Sequence, residues 1–120
     1  MPDAEHMKAA MRRYVELFNA GDAAAVADLY TDDAVIEDPV GRPATSGRAA
    51  IEKFYTDSIA TGVKLTAHEV CGSYGNRGAM RFSADLPNLH IDGMEVMTFA
   101  EDGRVTRMEA FWGPGDFRTT

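Results

Sequence analysis

Up to Gly62 the apolar positions of the chain recur every three or four residues; beyond it they alternate. Met7, Met11, Tyr14 and Phe18 form the first stripe, opening after Pro2-Asp3 and stopping at Asn19-Ala20-Gly21, which predicts an amphipathic helix. Asp22 is placed to cap a shorter second helix carrying Val26, Leu29 and Tyr30. Thr31-Asp32-Asp33 then leads into a strand from Ala34 to Glu37. After a loop from Pro39 to Thr45, Ser46-Gly47 opens a third helix, with Ile51, Phe54, Tyr55 and Ile59 on its inner face and Gly62 at its end. The remainder reads as strands over Val63 to Cys71, Gly78 to Leu86, Leu89 to Phe99 and Arg104 to Trp112. These are divided at Gly72 to Gly75, Pro87-Asn88 and Asp102-Gly103. Helices followed by consecutive hairpins predict an α+β fold, with the helices packed on one face of a curved antiparallel sheet. One domain is expected over residues 1–120, without internal repeat or linker.

Strand parity isolates one unusual position. From Gly78 to Leu86 one face carries Met80, Phe82, Ala84 and Leu86, and the other Arg81, Ser83 and Asp85, as in a half-buried strand. In the next strand Leu89, Ile91, Gly93, Glu95, Met97 and Phe99 share a face, so a carboxyl side chain stands in an apolar row. With Asp102-Gly103 as a two-residue turn, Glu95 falls opposite Ala110, with Met108 and Trp112 diagonal to it; a longer loop with a bulge would change that pairing. Burying the ionised form is costly, so desolvation favours a neutral acid able to donate a hydrogen bond. Structural readings compete: an ion pair with an arginine, or a strand covered on both sides, since the other face holds Met94 and Val96.

Composition narrows the function classes. At 120 residues, 45% apolar and 26% charged, the chain is long enough for a self-sufficient core and ordinary for an ordered globular protein. A net charge of −7 with scattered Lys and Arg argues against nucleic acid and anionic membranes as partners. No apolar run reaches the length needed to span a bilayer. The single Cys71 and an N-terminus without signal-peptide character predict a soluble protein of the reducing cytoplasm. Cys71 itself reads as a buried structural thiol. His6, His68 and His90 have no metal-ligand spacing and are assigned to the surface or strand ends. Gly72, Gly75 and Gly78 lie in a hairpin rather than before a helix, so they are no phosphate loop, and Asp32-Asp33 reads as a solvated turn.

Asp38 ends the run Ala34-Val-Ile-Glu-Asp-Pro39. The proline after it disfavours a helical backbone, holding the carboxylate extended at the edge of the core that Val35 and Ile36 enter. A fixed carboxylate beside apolar surface is a candidate proton acceptor; the alternative is a turn aspartate.

Tyr14 within Arg13-Tyr-Val-Glu-Leu17, Tyr30 and Asp38 within Leu29 to Gly41, Phe54-Tyr55, Glu95-Val-Met-Thr-Phe99 and Met108-Glu-Ala-Phe-Trp112 together resemble bacterial Δ5-3-ketosteroid isomerase. The resemblance runs in order from the first helix to Trp112. It implies the cone-shaped fold shared with nuclear transport factor 2 (NTF2-like, SnoaL-like), a homodimer, a steroid substrate and no metal or organic cofactor. It also implies roles: Asp38 as general base, Tyr14 as principal oxyanion donor, and Glu95 in the place of a protonated aspartic acid completing the oxyanion hole. Tyr30 and Tyr55 match a supporting hydroxyl network, and Phe54, Met80, Phe82, Met97, Met108 and Trp112 match the wall of a flat apolar pocket.

Two departures from that pattern stand out. Glu95 is one methylene longer than aspartic acid, a reach of about 1.5 Å, enough to disturb catalytic geometry. The connection at Pro87-Asn88 is also shorter. Three functions are therefore weighed: a steroid Δ-isomerase, a non-catalytic binder of steroids or similar apolar ligands, and a cyclase or hydrolase of the same fold using Asp38 on another apolar substrate.

Overall fold

The computed structural model describes residues 2–120. Helix α1 (Ala4–Asn19) starts where Asp3 accepts a hydrogen bond from the His6 amide at 2.9 Å, and it buries Met7, Met11, Tyr14, Val15 and Phe18. Helix α2 (Ala23–Asp28) is capped by Asp22, which accepts from the Ala25 amide at 3.0 Å. It ends sooner than the apolar spacing suggests. The Leu29 carbonyl accepts from the Val105 amide at 2.8 Å, so Tyr30 joins the sheet as the first residue of β1 (Tyr30–Glu37). Asp32 and Asp33 are exposed, as expected, but they lie within β1 at a register irregularity rather than in a turn.

A two-residue strand, β2 (Thr45–Ser46), pairs with β1 before α3 (Arg48–Ala60) begins. Gly47 caps α3 without a side chain, and the Arg48 guanidinium ties the first turn to Asp28 and Glu52. Strands β3 (Lys64–Cys71), β4 (Arg77–Leu86), β5 (Leu89–Phe99) and β6 (Val105–Phe111) follow, and β7 (Phe117–Thr119) closes the chain. Within the sheet the order is β2-β1-β6-β5-β4-β3, and β7 pairs with the stretch of β5 that β6 leaves open. All pairings are antiparallel except β1–β6, which runs parallel and makes the sheet mixed. No hairpin joins these two strands; α3 and the β3–β5 meander intervene, and a long connection permits either direction.

The β5–β6 connection decides where Glu95 points. Its loop has three residues rather than two: the Ala100 amide donates to the Arg104 carbonyl at 2.8 Å, and Gly103 takes the left-handed conformation (φ 91°). A bulge then restores the register, and Glu95 does face Ala110. The helices cover the face of the sheet carrying Ile36, Met80, Phe82, Met97 and Met108. Gly93 allows the Phe82 ring to lie against β5, since a Cβ there would come within 2.7 Å of Phe82 Cζ. Cys71 is exposed rather than buried, because it ends the edge strand β3, where nothing packs over it.

Candidate active site

Three phenols from three separate elements meet in the core. The Tyr30 and Tyr55 hydroxyls are 2.6 Å apart, and the Tyr55 hydroxyl donates to Tyr14 Oη at 3.3 Å. A hydroxyl has a single hydrogen, so Tyr30 donates to Tyr55 and Tyr55 to Tyr14, leaving the Tyr14 hydrogen free for a further acceptor. Burial pushes all three pKa values well above the usual tyrosine value, and these phenols are neutral donors. Nearby acidic groups add to the rise at Tyr14, and the bond from Tyr55 partly offsets it.

Glu95 is 3% exposed, opposite Ala110 on β6 and Met80 on β4. Desolvation raises its pKa well above the ordinary glutamate value, and the nearby Asp38 carboxylate raises it further. Its Oε2 has no hydrogen-bond partner, and no arginine pairs with it among the described residues. The β5 face behind it is not sealed, since Met94 there is 55% exposed. Both effects favour the protonated form of Glu95, and its Oε2 retains unsatisfied hydrogen-bonding capacity.

Asp38 follows β1 at a cis Asp38–Pro39 peptide, and the Val40 amide, donating to the Ala110 carbonyl at 2.8 Å, holds this loop against β6. Trp112 Nε1 donates to Asp38 Oδ1 at 2.9 Å. Desolvation raises the Asp38 pKa, and the indole hydrogen bond opposes the rise by stabilising the carboxylate.

These groups line one end of a cavity of about 260 Å³, which holds Tyr14, Asp38, Tyr55, Glu95 and Trp112 together with Phe54 and Phe82. Tyr30 stands behind Tyr55, outside the lining. Met80, Met97 and Met108 correct the sequence reading: they occupy the expected face but are sealed in the core, at 2% exposure or less. Towards Phe99 the helices close down on the sheet; towards Leu86 they leave it open. Ala84, Leu86 and Ile91 therefore form the wall instead, with Leu65 and Val63 from β3 and its approach. Strand parity already grouped the first three with Phe82 and Glu95; position along the strands was the missing information. Phe18, Ser58 and Thr61 complete the lining and were also missed, although Ser58 and Thr61 follow Phe54 at helical spacing. No cluster of metal-ligating side chains occurs among the described residues, and no helix there is long and apolar enough to cross a membrane.

Comparison with known proteins gives a consistent assignment. The SnoaL-like domain family matches residues 11–108. The chain is 39% identical over 117 residues to the steroid Delta-isomerase of Nocardioides simplex, covering 95% of both proteins. It is 27% identical over 141 aligned positions to the epoxide hydrolase LasB of Streptomyces lasalocidi, where 96% of this chain spans 50% of that protein. Among solved structures, the epoxide hydrolase/cyclase-like enzyme SalBIII, described for its role in pyran ring formation in the polyether salinomycin, superposes with a TM-score of 0.91. That match has 26% identity and covers 97% of both chains.

Proposed function

The chain belongs to the SnoaL-like family, with its NTF2-like α+β fold, and on that premise we propose that it is a steroid Δ-isomerase converting 3-oxo-Δ5-steroids to their Δ4 isomers. The observation that carries this reading is one apolar cavity holding a carboxylate, a neutral carboxylic acid and a tyrosine with an uncommitted hydroxyl hydrogen. Similarity to a steroid Delta-isomerase over nearly the whole chain supports it.

In this reading Asp38 takes the proton from the carbon between the ketone and the double bond. The C–H electrons form a new double bond to the carbonyl carbon, and the carbonyl π electrons move to oxygen, giving a dienolate. The same carboxyl then returns the proton two carbons along. That carbon takes its bonding electrons from the original double bond, the ketone re-forms, and the alkene ends in conjugation with it. Tyr14 and Glu95 donate hydrogen bonds to the oxygen on which charge develops, stabilising the dienolate more than the ketone. Trp112 keeps Asp38 ionised and oriented between the two carbons.

The test is the ultraviolet absorbance of the conjugated enone formed from 5-androstene-3,17-dione. Asp38→Asn is expected to lower kcat by about 10⁴-fold, the upper end for a positioned proton-transfer group. Absence of turnover in the intact protein, with saturable binding of a phenolic steroid, would leave a ligand binder.

Similarity to LasB and SalBIII favours a second reading. Neutral Glu95 would protonate an epoxide oxygen as its C–O bond breaks, while Asp38 takes the proton of the attacking water or hydroxyl. Turnover of an apolar epoxide without any steroid isomerisation would establish it in place of the first.

A further inference from the structure

The cavity has a second polar end that the chemistry does not use. Along the β4–β5 ladder it runs from Glu95 to Ile91, four residues or about 13 Å. On the opposite wall it follows α3 from Tyr55 to Thr61, six residues or about 9 Å. Both walls therefore lead away from the reacting groups in the same direction. Lys64 pairs with Asp85, which brings the end of α3 to the Leu86 end of the cavity. The wall there is apolar except for two hydroxyls, Ser58 and Thr61, a turn apart on the helix.

The two hydroxyls are not equivalent. Thr61 Oγ1 donates to the Ser58 carbonyl at 2.6 Å, so its hydrogen is committed and only its lone pairs remain. The Ser58 hydroxyl has no protein partner among the described residues. Ser58 stands three residues, about 4.5 Å of helical rise, beyond Tyr55 on this wall, and Thr61 one turn further. A free donor on the side of an apolar slot away from the reacting groups is matched by a substrate bearing a second oxygen there, and poorly matched by one ending in an alkyl tail.

We propose that Ser58 is a specificity-determining residue that donates a hydrogen bond to an oxygen substituent on the ring farthest from the reacting carbonyl, with Thr61 Oγ1 as an additional acceptor when that substituent is a hydroxyl. The favoured substrates are then flat polycycles oxygenated at both ends. The proposal rests on the isomerase reading for the substrate's orientation, and its test has one arm that needs no turnover.

In the first arm, kcat/KM is compared for 5-androstene-3,17-dione and 5-androsten-3-one, which lacks the distal oxygen. The intact protein is expected to prefer the dione by about three- to tenfold, the value of one hydrogen bond, and Ser58→Ala to bring the ratio close to one, chiefly through KM. In the second arm, equilibrium binding of estrone and of its 17-deoxy analogue is measured in Asp38→Asn and in Asp38→Asn/Ser58→Ala. The same preference should appear in the former and vanish in the latter. A preference that survives Ser58→Ala, equal binding of the two phenols, or binding of neither overturns the proposal. Loss of all turnover with the binding preference intact would overturn the isomerase reading and leave the distal site standing.

Discussion

Strand β5 carries two acidic residues three positions apart, Asp92 and Glu95, on opposite faces of the sheet, and the two faces treat a carboxyl group in opposite ways. On the outer face Asp92 accepts from Ser83 Oγ at 3.1 Å and from His90 Nε2 at 2.9 Å, while His90 Nδ1 lies 2.6 Å from Asp85 and His68 Nε2 2.5 Å from Ser83 Oγ. Hydrogen bonding to His90 lowers the Asp92 pKa, and the two carboxylates raise that of His90, so each favours the charged form of the other. On the inner face Glu95 Oε2 has no such partner, and desolvation raises the Glu95 pKa, favouring the protonated form. Burial together with hydrogen-bond supply, rather than residue type or element, therefore sets the direction in which each pKa moves. The paired face is a structural network, and the unpaired one retains hydrogen-bonding capacity for a ligand.

Substitutions on the inner face should dominate turnover. Tyr14→Phe removes the end of the phenol chain and is expected to lower kcat by about 10²–10³-fold with little change in KM, as read from the enone absorbance. A Tyr14→Phe enzyme as fast as the parent would break the contrast between the faces.

Glu95→Gln keeps a donor but removes the ionisable group, and should cost roughly tenfold in kcat and abolish the alkaline fall in activity expected from Glu95 ionisation. Its effect on stability depends on pH. The folded pKa lies above the unfolded value, so the unfolded chain ionises first as pH rises. The parent then loses stability relative to Glu95→Gln above about pH 4, by up to about 1.4 kcal/mol per pH unit, until the folded group ionises too. Urea unfolding of both proteins between pH 4 and 8 measures this.

Trp112→Phe removes the bond that stabilises the Asp38 carboxylate, leaving desolvation unopposed. The acid limb of kcat/KM, expected above the usual aspartate range because desolvation raises the Asp38 pKa, should move to still higher pH.

Asp92→Asn on the outer face should leave turnover unchanged. Because the folded Asp92 pKa is lowered, its contribution to stability is present above the usual aspartate range and lost as pH falls through the folded value. The pH dependence is therefore opposite in sense to that of Glu95, and parallel pH-stability curves for the two variants would erase the comparison.

Much of this arrangement was legible in local pattern. Met7 to Phe18 and Ile51 to Tyr55 marked two helices by spacing alone, and alternation put Glu95 in the apolar row of β5 and Ser83 on the other face. Strands β2 and β7 were not legible, because two and three residues carry no periodic signal. Nor was the parallel β1–β6 pairing, which joins strands separated by most of the chain.

What the sequence determined by itself was which side chains share a face, since helical and extended backbones impose fixed periods on neighbouring residues. The tertiary structure decided where along those faces the helices leave space. Met80 is sealed while Ala84 lines a cavity, though both stand on one face of β4. It also decided what opposes desolvation at each acid: Asp38 draws a hydrogen bond from Trp112, 74 residues away, while Glu95 Oε2 draws none. Protonation depends on desolvation and on donors brought through space from distant segments, and no local pattern encodes either.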